Sequence, residues 1–344
     1  MDREINISDV AERAGVSIAT VSNVINDKGR VSEKTKLKVK KIIEQLGYAP
    51  NLPARHLKTR RTHLIGLVVP TMKPGRLQDN PFYWDLLAGV EEVARDHNFH
   101  IILTGIDERT ETFSFVRERM LDGLIMIGVN ERSKALKRVM NLRIPTVYID
   151  SYLQDPALYQ VCIDDRRGGY LATKYLISQG HTRIALLIGD IDMKQISYYG
   201  VLHARWLGYR DALDEAGLKY DPELMIKLPT SMEGGFRAAS RLVAMEKVTA
   251  VFSFSDISAM GLVKGLKEAG KKVPDDYSVI GFDNLFVSGF TLPALSTVSQ
   301  NILEKGQLSI KLLLDQIEKR PIISRKVVMP VELVIRETTG LARN

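Results

Sequence analysis

The sequence has almost no cysteine, since Cys162 is the single one among 344 residues. One thiol excludes an internal disulfide framework and is typical of a protein kept in a reducing compartment. Long apolar runs are also missing, because the longest, such as 64–69, have the length of a strand and not of a membrane span. No apolar run follows the N-terminal residues, so we expect no signal peptide and a cytoplasmic protein that does not contact the membrane.

Motifs of the common catalytic and metal centres are missing too. The sequence contains no CxxC, HExxH, GxSxG or GxxxxGK[ST], and no GxGxxG dinucleotide fingerprint. Its histidines show no spacing typical of metal ligands. We therefore expect no metal ion, no cofactor and no enzymatic activity.

Positive charge is concentrated at one end of the chain. The net charge is +7, and 45% hydrophobic with 26% charged residues is ordinary for a globular protein with large cores. Residues 1–61 hold 13 Lys and Arg against 7 Asp and Glu, whereas the remaining residues hold 35 against 34. This asymmetry indicates a polyanion-binding head on a nearly neutral body, although a solvated basic face is the alternative.

The pattern of residues 5–26 predicts two helices joined by a tight turn. Apolar side chains recur at helical spacing over 7–14, Gly15 ends that run, and Ser17 can cap a second helix over 17–26. Ala11 is small enough for two helices to cross closely, and Val21 can pack back against the first helix. This order is typical of a helix-turn-helix that reads the DNA major groove, although an αα corner in an ordinary helical domain would fit the spacing too.

A third helix and a short segment of a different kind follow. Ser32 can cap the helix, and Gly47 ends its apolar stripe. Segment 51–58 is too short to be helical in water unaided, and its Pro53 suits only a first helical turn. We expect it to order against a second copy of itself or a DNA groove, where Leu57 can wedge between base steps.

The motifs VAERAGVSIATVSNVIND, VSEKTKLKVKKIIEQLGYAPN and PARHL resemble the head and hinge of the lactose/galactose repressor family of bacterial transcription regulators. The resemblance covers the whole chain. It implies a helix-turn-helix DNA-binding domain over 1–50, a hinge over 51–61, and an effector-binding and dimerisation domain over 62–344. It also implies a pseudo-palindromic operator as partner and a homodimer located on the nucleoid when operator-bound. A dimer is expected instead of a tetramer because no leucine heptads follow the last strand.

By this resemblance the second helix reads DNA. Ile18 and Ala19 at its start are apolar, so they can touch thymine methyl groups but cannot hydrogen-bond base edges. Asn23 stands where most relatives carry Arg, and because Asn pairs with adenine and cannot match guanine as Arg does, we expect an operator that differs from the family consensus. The predicted DNA contacts are Ser17, Ile18, Ala19, Thr20, Ser22, Asn23, Asn26, Arg55 and Leu57. Simple solvation is an equal alternative for Ser22.

From residue 62 onward short apolar runs alternate with amphipathic stretches. Strands are predicted at 64–69, 101–104, 124–127, 146–149, 184–188, 225–227, 251–253, 279–282, 294–298, 327–329 and 333–336. Helices are predicted at 82–96, 110–121, 133–142, 168–179, 204–216, 234–245, 258–269 and 301–319. This repetition predicts an α/β fold of parallel sheets with helices on both faces, and the number of strands favours two lobes.

The stretch 150–164 has no periodicity and is predicted as the break between the lobes. The resemblance implies three crossings between the lobes, near 163, 292 and 323, as in periplasmic sugar-binding proteins. It therefore assigns 62–163 and 293–323 to the first lobe, and 164–292 and 324–344 to the second.

Ligands bind open parallel sheets at the carboxyl ends of the strands, so the polar residues there are the candidates for a cleft. Carboxylates accept hydrogen bonds from vicinal hydroxyls and a guanidinium offers a fixed fork of donors, which suits a polyhydroxylated ligand. Arg205, at the predicted opening of its helix, and Asp283 match family segments that bind the effector, and Asp150 and Gln300 match effector-lining positions. Ser255 stands where many relatives carry Asn.

The predicted effector-binding set is Phe82, Tyr83, Asp150, Arg205, Ser255, Asp283 and Gln300, in which the aromatic side chains can stack on a sugar's apolar face. Asp or Ser at a strand-to-helix junction is often only a helix N-cap. That alternative is equally good for Asp164, Asp165, Ser255 and Asp256.

These features predict a DNA-binding transcription regulator, a repressor of a bacterial metabolic operon that a carbohydrate effector controls from between two lobes. One alternative is a sugar- or nucleotide-processing α/β enzyme fused to a DNA-binding head. A second is an architectural DNA-binding protein with a vestigial cleft.

Overall fold

The computed structural model describes residues 5–25, 28–48, 61–70, 80–106, 116, 120–198 and 200–343. Contacts between residues divide the chain into two compact units, a head of Met1–Thr62 and a body of His63–Asn344. The predicted hinge, except Arg61, and most of the predicted helix at 110–121 lie outside the described residues.

Three helices form the described part of the head, as predicted. They are α1 (Ile7–Ala14), α2 (Ile18–Ile25) and α3 (Glu33–Leu46). Asn6 and Asp9 cap α1 reciprocally, and Gly15 ends it with a left-handed φ of 61°. The predicted crossing residues Ala11 and Val21 lie in one buried apolar cluster that all three helices share.

The Ser17 cap is also confirmed, because its Oγ accepts a hydrogen bond from the amide of Thr20 at 3.1 Å. Ser32 caps α3 in the same way, and Gly47 ends α3 with a φ of 60°. The three-helix architecture therefore follows from caps, glycines and a small aliphatic core that the sequence displays directly.

The first sheet of the body has the strand order β11-β5-β4-β3-β1-β2, and all its neighbouring strands are parallel. Its strands are β1 (Leu64–Pro70), β2 (His100–Ile106), β3 (Gly123–Ile127), β4 (Thr146–Ile149), β5 (Tyr159–Ile163) and β11 (Lys326–Met329). The helices α4 (Phe82–Asp96), α5 (Lys134–Leu142) and α10 (Ile302–Ile317) cover it. This sheet and its helices form the first lobe.

The second sheet has the order β12-β10-β9-β8-β6-β7. Its strands are β6 (Ile184–Ile188), β7 (Met225–Lys227), β8 (Ala250–Ser253), β9 (Ser278–Asp283), β10 (Ser296–Ser299) and β12 (Glu332–Val334). Its helices are α6 (Asp165–Ser178), α7 (Gly200–Glu215), α8 (Met232–Val243) and α9 (Asp256–Glu268). The edge strand β12 runs antiparallel to β10, whereas the other pairs are parallel. The predicted α/β architecture of two lobes is confirmed.

Two of the three predicted lobe boundaries are wrong. The chain crosses after β5 near 164, as expected, but β10 pairs with β9 through Ser296 and Ile280 and therefore belongs to the second lobe. The second crossing lies at 300–301 instead of 292. The third lies at 330–331 instead of 323, because β11 pairs with β5 in the first sheet. Short buried parallel strands look alike in sequence, so their pattern cannot name the sheet they join.

The aperiodic stretch 150–164 also contains a strand that the sequence did not predict. Residues Tyr159–Ile163 form β5, which pairs with β4 on one side and β11 on the other. Tyr159 is half-buried and the other four residues of the strand are buried, so exposed and buried positions do not alternate along it. A central strand covered on both faces gives no period-2 signal.

Close helix packing positions one predicted cleft residue. A Cβ at Gly169 would lie 2.2 Å from the carbonyl oxygen of Arg205, so α6 and α7 approach each other backbone to backbone. Arg205 lies in the second turn of α7 and does not open it as predicted, because the helix already begins at Gly200.

His181 follows α6 and joins three parts of the second lobe. Its Nδ1 lies 2.8 Å from Thr249 Oγ1, and its Nε2 lies 3.0 Å from Ser278 Oγ and 3.1 Å from the carbonyl oxygen of Gly340. His181 therefore satisfies polar groups that are distant from it in sequence. Burial lowers the pKa of His181, although the hydrogen bond to Gly340 opposes the change.

Stability of the second lobe should consequently fall in acid. A histidine whose pKa is lower in the folded chain than its ordinary value, about 6.5, contributes stability above that pH and loses it as the pH falls towards the folded-state pKa. We expect the difference in urea midpoint between wild type and His181→Gln to be larger at about pH 8 than at about pH 5.5. A difference that is the same at both pH values would contradict this role.

No helix in the described ranges combines the length and the apolar character that a membrane span requires.

Candidate functional site

The carboxyl ends of both sheets hold the predicted cleft residues. Asp150 follows β4 in the first sheet, Asp283 ends β9 in the second, and Gln300 follows β10 at the second crossing. Asp150 and Asp283 have positive φ values of 50° and 134°, so the backbone departs from strand conformation at both residues. Residues from distant parts of the chain thus meet between the lobes.

Arg205 is buried in an ion pair with Asp165. Its Nε donates to Asp165 Oδ1 at 2.7 Å, and its Nη1 donates to the carbonyl oxygen of Phe254 at 2.5 Å. The guanidinium lies 3.5 Å from the centre of the Phe282 ring, so a cation–π contact adds to the pair. Burial raises the pKa of Asp165, and the adjacent guanidinium opposes that rise. The pair therefore places a charge-assisted donor group in a site with little water.

Tyr152 completes the environment of this ion pair. Its hydroxyl contacts Asp165 Oδ2 and lies 2.9 Å from the carbonyl oxygen of Ile163. Tyr152 follows β4 of the first lobe, whereas Arg205 belongs to the second. A Cβ at Gly200, the first residue of α7, would lie 2.5 Å from Tyr152 Cβ, so the lobes approach closely here.

A second chain of contacts links Asp150 to Asp283. The ammonium of Lys305 lies 3.0 and 2.8 Å from the two carboxylate oxygens of Asp150, and it also contacts Gln300 Oε1. Gln300 Nε2 donates to Asp283 Oδ1 at 2.5 Å. Burial raises the pKa of Asp283 to about 8, and Arg205 is the largest opposing influence. A carboxyl with that pKa is mostly protonated at neutral pH and can both donate and accept hydrogen bonds.

The predicted aromatic residues lie beside this chain of contacts. Phe82 and Tyr83 open α4, their rings meet edge to face at 5.4 Å, and the ammonium of Lys305 lies 5.4 Å from the centre of the Phe82 ring. Burial raises the pKa of Tyr83 to about 12, and the charges of Asp150 and Asp283 add to the rise. Tyr83 therefore keeps its proton and offers a hydroxyl donor at neutral pH.

Four residues were predicted to be either cleft residues or helix N-caps, and two of them cap a helix. Ser255 caps α9: its Oγ accepts from the amide of Ser258 at 3.4 Å and donates to Ser258 Oγ at 3.0 Å. Asp164 caps α6 through the amide of Arg167 at 2.9 Å. Ser255 is therefore committed to its helix and is the weakest of the seven predicted effector contacts.

Asp165 and Asp256, the other two, are buried without capping by their side chains. Asp165 pairs with Arg205 as described. Asp256 accepts hydrogen bonds from the amide of Leu285 at 2.9 Å and from Ser288 Oγ at 2.6 Å, so it holds the turn that follows Asp283.

A cavity of about 740 Å³ lies next to Asp283. The 3-10 turn Phe286–Phe290, the start of α10 and the third crossing line it. Asp283 belongs to its lining, whereas the other six residues of the predicted effector-binding set do not.

Three residues of the site were missing from the predicted effector set. They are Lys305, Tyr152 and Asp165. A signal for Lys305 was present: the residue lies among Ile302, Gly306, Ser309 and Ile310 on the buried face of α10, where a lysine is unexpected. Tyr152 lies in the stretch without periodicity, which gave no signal.

On the head, the predicted DNA contacts lie at and after the start of α2. Ser17, Ile18, Ala19 and Asn23 are exposed, and Thr20 and Ser22 are half-buried. Ile18 exposes 49% of its surface, although it is a large apolar residue in a small protein unit. Asn26, Arg55 and Leu57 lie outside the described residues.

Comparison with known proteins gives matches to both units. Residues 6–51 match the family "Bacterial regulatory proteins, lacI family", and residues 173–339 match "Periplasmic binding protein-like domain". The chain is 38% identical to the HTH-type transcriptional regulator DegA of Bacillus subtilis, over 97% of this chain and 98% of that protein.

Two solved structures are similar over most of the chain. A complex of the transcriptional regulator CelR with cellobiose has a TM-score of 0.71 and 29% identity, covering 97% of this chain and 99% of that one. A LacI family regulator from Enterococcus faecium with bound ribose has a TM-score of 0.71 and 33% identity, covering 81% of this chain and all of that one.

Proposed function

The chain belongs to the LacI family of bacterial transcription regulators and binds DNA as a regulator, and we propose that a sugar held between the two lobes of its body controls that binding. The relatives that it matches over nearly their whole length are regulators. This excludes the alternative of an enzyme fused to a DNA-binding head. We further propose that it acts as a repressor of a metabolic operon in the cytoplasm.

The convergence of Arg205, Asp283 and Gln300 carries the proposal for a sugar. These side chains come from α7, β9 and the second crossing, yet Gln300 contacts Asp283 directly, and Arg205 is close enough to influence its pKa. Carboxyl oxygens, an amide and a guanidinium supply both donors and acceptors in fixed directions, which is what a hydroxyl-rich ligand needs. The cellobiose and ribose bound by similar regulators support the same ligand class.

On the DNA side, the exposed start of α2 is proposed to enter the major groove. Ile18 and Ala19 would contact thymine methyl groups there, and Asn23 would hydrogen-bond an adenine edge. Ser17, Thr20 and Ser22 are proposed contacts to phosphates or bases. The roles of Asn26, Arg55 and Leu57 rest on the family resemblance alone. The excess positive charge of the first 61 residues supports strong phosphate contact, so operator affinity should fall steeply with salt.

A homodimer is proposed as the functional unit. Pseudo-palindromic operators require two heads, one for each half-site. The body also exposes a large apolar group on and next to the 3-10 turn, where Phe286, Phe290 and Leu292 are 75, 74 and 87% exposed. Such a patch on a soluble protein is typical of an interaction surface, and a second copy of the chain is the proposed occupant.

Ligand control follows from linkage between the two sites. A sugar that binds one arrangement of the lobes better shifts the population towards it, and DNA that prefers one arrangement must change sugar affinity by the same factor. The residues that would transmit the change belong to the hinge proposed at 51–61.

Thermal denaturation with a panel of sugars tests the effector. A ligand present at one hundred times its dissociation constant should add about 2.7 kcal/mol of stability. We expect at least one mono- or disaccharide to raise Tm in the wild type, and Asp283→Ala to abolish that rise while leaving operator binding intact. A response that Asp283→Ala leaves unchanged would place the ligand elsewhere.

A further inference from the structure

Lys305 is a completely buried cation in the first turn of α10. None of its surface is exposed. Its ammonium contacts three acceptors, the two carboxylate oxygens of Asp150 at 3.0 and 2.8 Å and the amide oxygen of Gln300. An ammonium has three N–H donors and no acceptor, so these contacts use its whole hydrogen-bonding capacity. Lys305 therefore has no donor left for a ligand and acts on the cleft through its neighbours.

The first of those neighbours is Gln300, whose amide orientation Lys305 determines. Because an ammonium only donates, the Gln300 atom that faces it has to be the oxygen. The amide nitrogen then points to the other side, where it donates to Asp283 Oδ1 at 2.5 Å. Oδ1 of Asp283 is thereby fixed as an acceptor, and a proton bound to this carboxyl has to reside on Oδ2.

These contacts also connect the two lobes. Asp150 and Lys305 belong to β4 and α10 of the first lobe, Asp283 ends β9 of the second, and Gln300 lies at the crossing between them. A change at Lys305 therefore reaches a carboxyl of the opposite lobe through one intervening side chain.

We propose that Lys305 is a positioning residue of the cleft, which orients Gln300 and thereby makes Oδ2 the protonated oxygen that Asp283 offers to a ligand. The consequence for ligand class rests on the proposed function. Lys305 is neutralised by Asp150 and Arg205 by Asp165, so neither cation is left to balance an anionic ligand, and the neighbouring Asp283 carboxyl supplies no positive charge. The cleft should accordingly select an uncharged polyhydroxyl compound over its phosphate ester.

The protonation of Asp283 reports on this arrangement without any ligand. The charged and titratable groups around it are Arg205, Lys305, Asp256 and Tyr83. Burial and Asp256 raise its pKa to about 8, whereas Arg205, the Gln300 amide and Lys305 lower it. Tyr83, with a pKa of about 12, stays protonated throughout the useful range.

The expected sign follows from linkage. A carboxyl whose pKa is higher in the folded chain contributes stability at low pH, and that contribution is lost as the pH rises from its ordinary pKa, about 3.9, to its folded value of about 8. Removing Lys305 removes both its charge and the fixed amide donor, so the folded-state pKa should rise further.

The experiment measures Tm of the full-length, ligand-free chain between about pH 5 and about pH 9.5. Wild type, Lys305→Met and Gln300→Leu are each compared with the same chain carrying Asp283→Asn, so that the difference isolates Asp283. In wild type this difference should decrease as the pH rises and level off above about pH 8, where Asp283 is ionised in the folded chain as well. In both variants the decrease should continue to a higher pH before it levels off.

If Lys305→Met lowers Tm equally at every pH and the difference levels off at the same pH as in wild type, the proposal is overturned and Lys305 is a packing residue. If Lys305→Met does not fold because Asp150 is left buried without a partner, the double variant Lys305→Met with Asp150→Asn removes both charges and decides the same question.

Thermal shifts with ribose and ribose 5-phosphate, and with glucose and glucose 6-phosphate, test the ligand class. Where a sugar raises Tm, its phosphate ester should bind at least about tenfold more weakly. A phosphate ester that binds more tightly would overturn the class assignment. If no sugar raises Tm, the result counts against both the proposed function and the ligand class, while the pH profile still decides the role of Lys305.

Discussion

Replacing Arg205 with Met is expected to abolish the response to a sugar and to lower the free energy of unfolding by about 3 to 5 kcal/mol. The large loss of stability is expected because Asp165, which is 1% exposed, would lose the guanidinium that now lies 2.7 Å away and would have to stay charged without a partner or take up a proton. The ligand response should disappear because the guanidinium is the cleft's charged donor beside Asp283. Urea unfolding and thermal shift with the responsive sugar measure the two effects separately.

The double variant Arg205→Met with Asp165→Asn is the matched control. It removes both charges of the buried pair, and Tyr152 can still hydrogen-bond the new amide oxygen. We expect it to recover most of the lost stability but none of the ligand response. A double variant as unstable as the single one would show that packing of the side chain, and not an orphaned carboxylate, causes the loss.

Replacing Ile18 with Asp is expected to weaken operator binding by at least about 100-fold, or about 2.7 kcal/mol, while the head stays folded. Ile18 is the first residue of α2, is 49% exposed and does not belong to the buried apolar cluster of the head. An acidic residue at a helix N-terminus interacts favourably with the helix dipole, so the helix itself should not suffer. In the proposed complex, however, the phosphates would repel the carboxylate, and the apolar contact to thymine methyl groups would be lost.

Leu37→Asp supplies the control for charge. Leu37 lies on α3 of the same head, is 69% exposed, and the substitution changes the net charge equally. Operator affinity is measured by fluorescence anisotropy with an operator selected from random DNA. Leu37→Asp should lower this affinity by no more than a few-fold. If both variants weaken binding equally, general electrostatics explains the effect and Ile18 does not occupy the groove.

Much of the fold follows from the sequence, and the exceptions have physical causes. Thr146–Ile149 and Phe82–Asp96 have the bounds predicted from apolar runs and helical spacing. β5 was missed because it is buried on both faces. The misplaced crossings at 292 and 323 reflect a question of pairing, since only hydrogen bonds to β9 and β5 decide which sheet β10 and β11 join.

The candidate site was predicted in position more than in detail. The rule that ligands bind at the carboxyl ends of parallel strands correctly placed Asp150 and Asp283 at the carboxyl ends of β4 and β9. It could not reveal that a lysine from α10 links them through Gln300, because lysines on helices are ordinarily solvated. Nor could it separate Asp165, which pairs with Arg205, from Asp164, which caps a helix one residue earlier.

The most direct test of ligand control is the affinity of the full-length protein for its selected operator, with and without a saturating concentration of the sugar that stabilises the body. We predict that the sugar changes the operator dissociation constant by about 5- to 150-fold and that saturating operator changes the sugar dissociation constant by the same factor. An operator affinity that a demonstrably bound sugar leaves unchanged would contradict the proposal that the cleft regulates DNA binding.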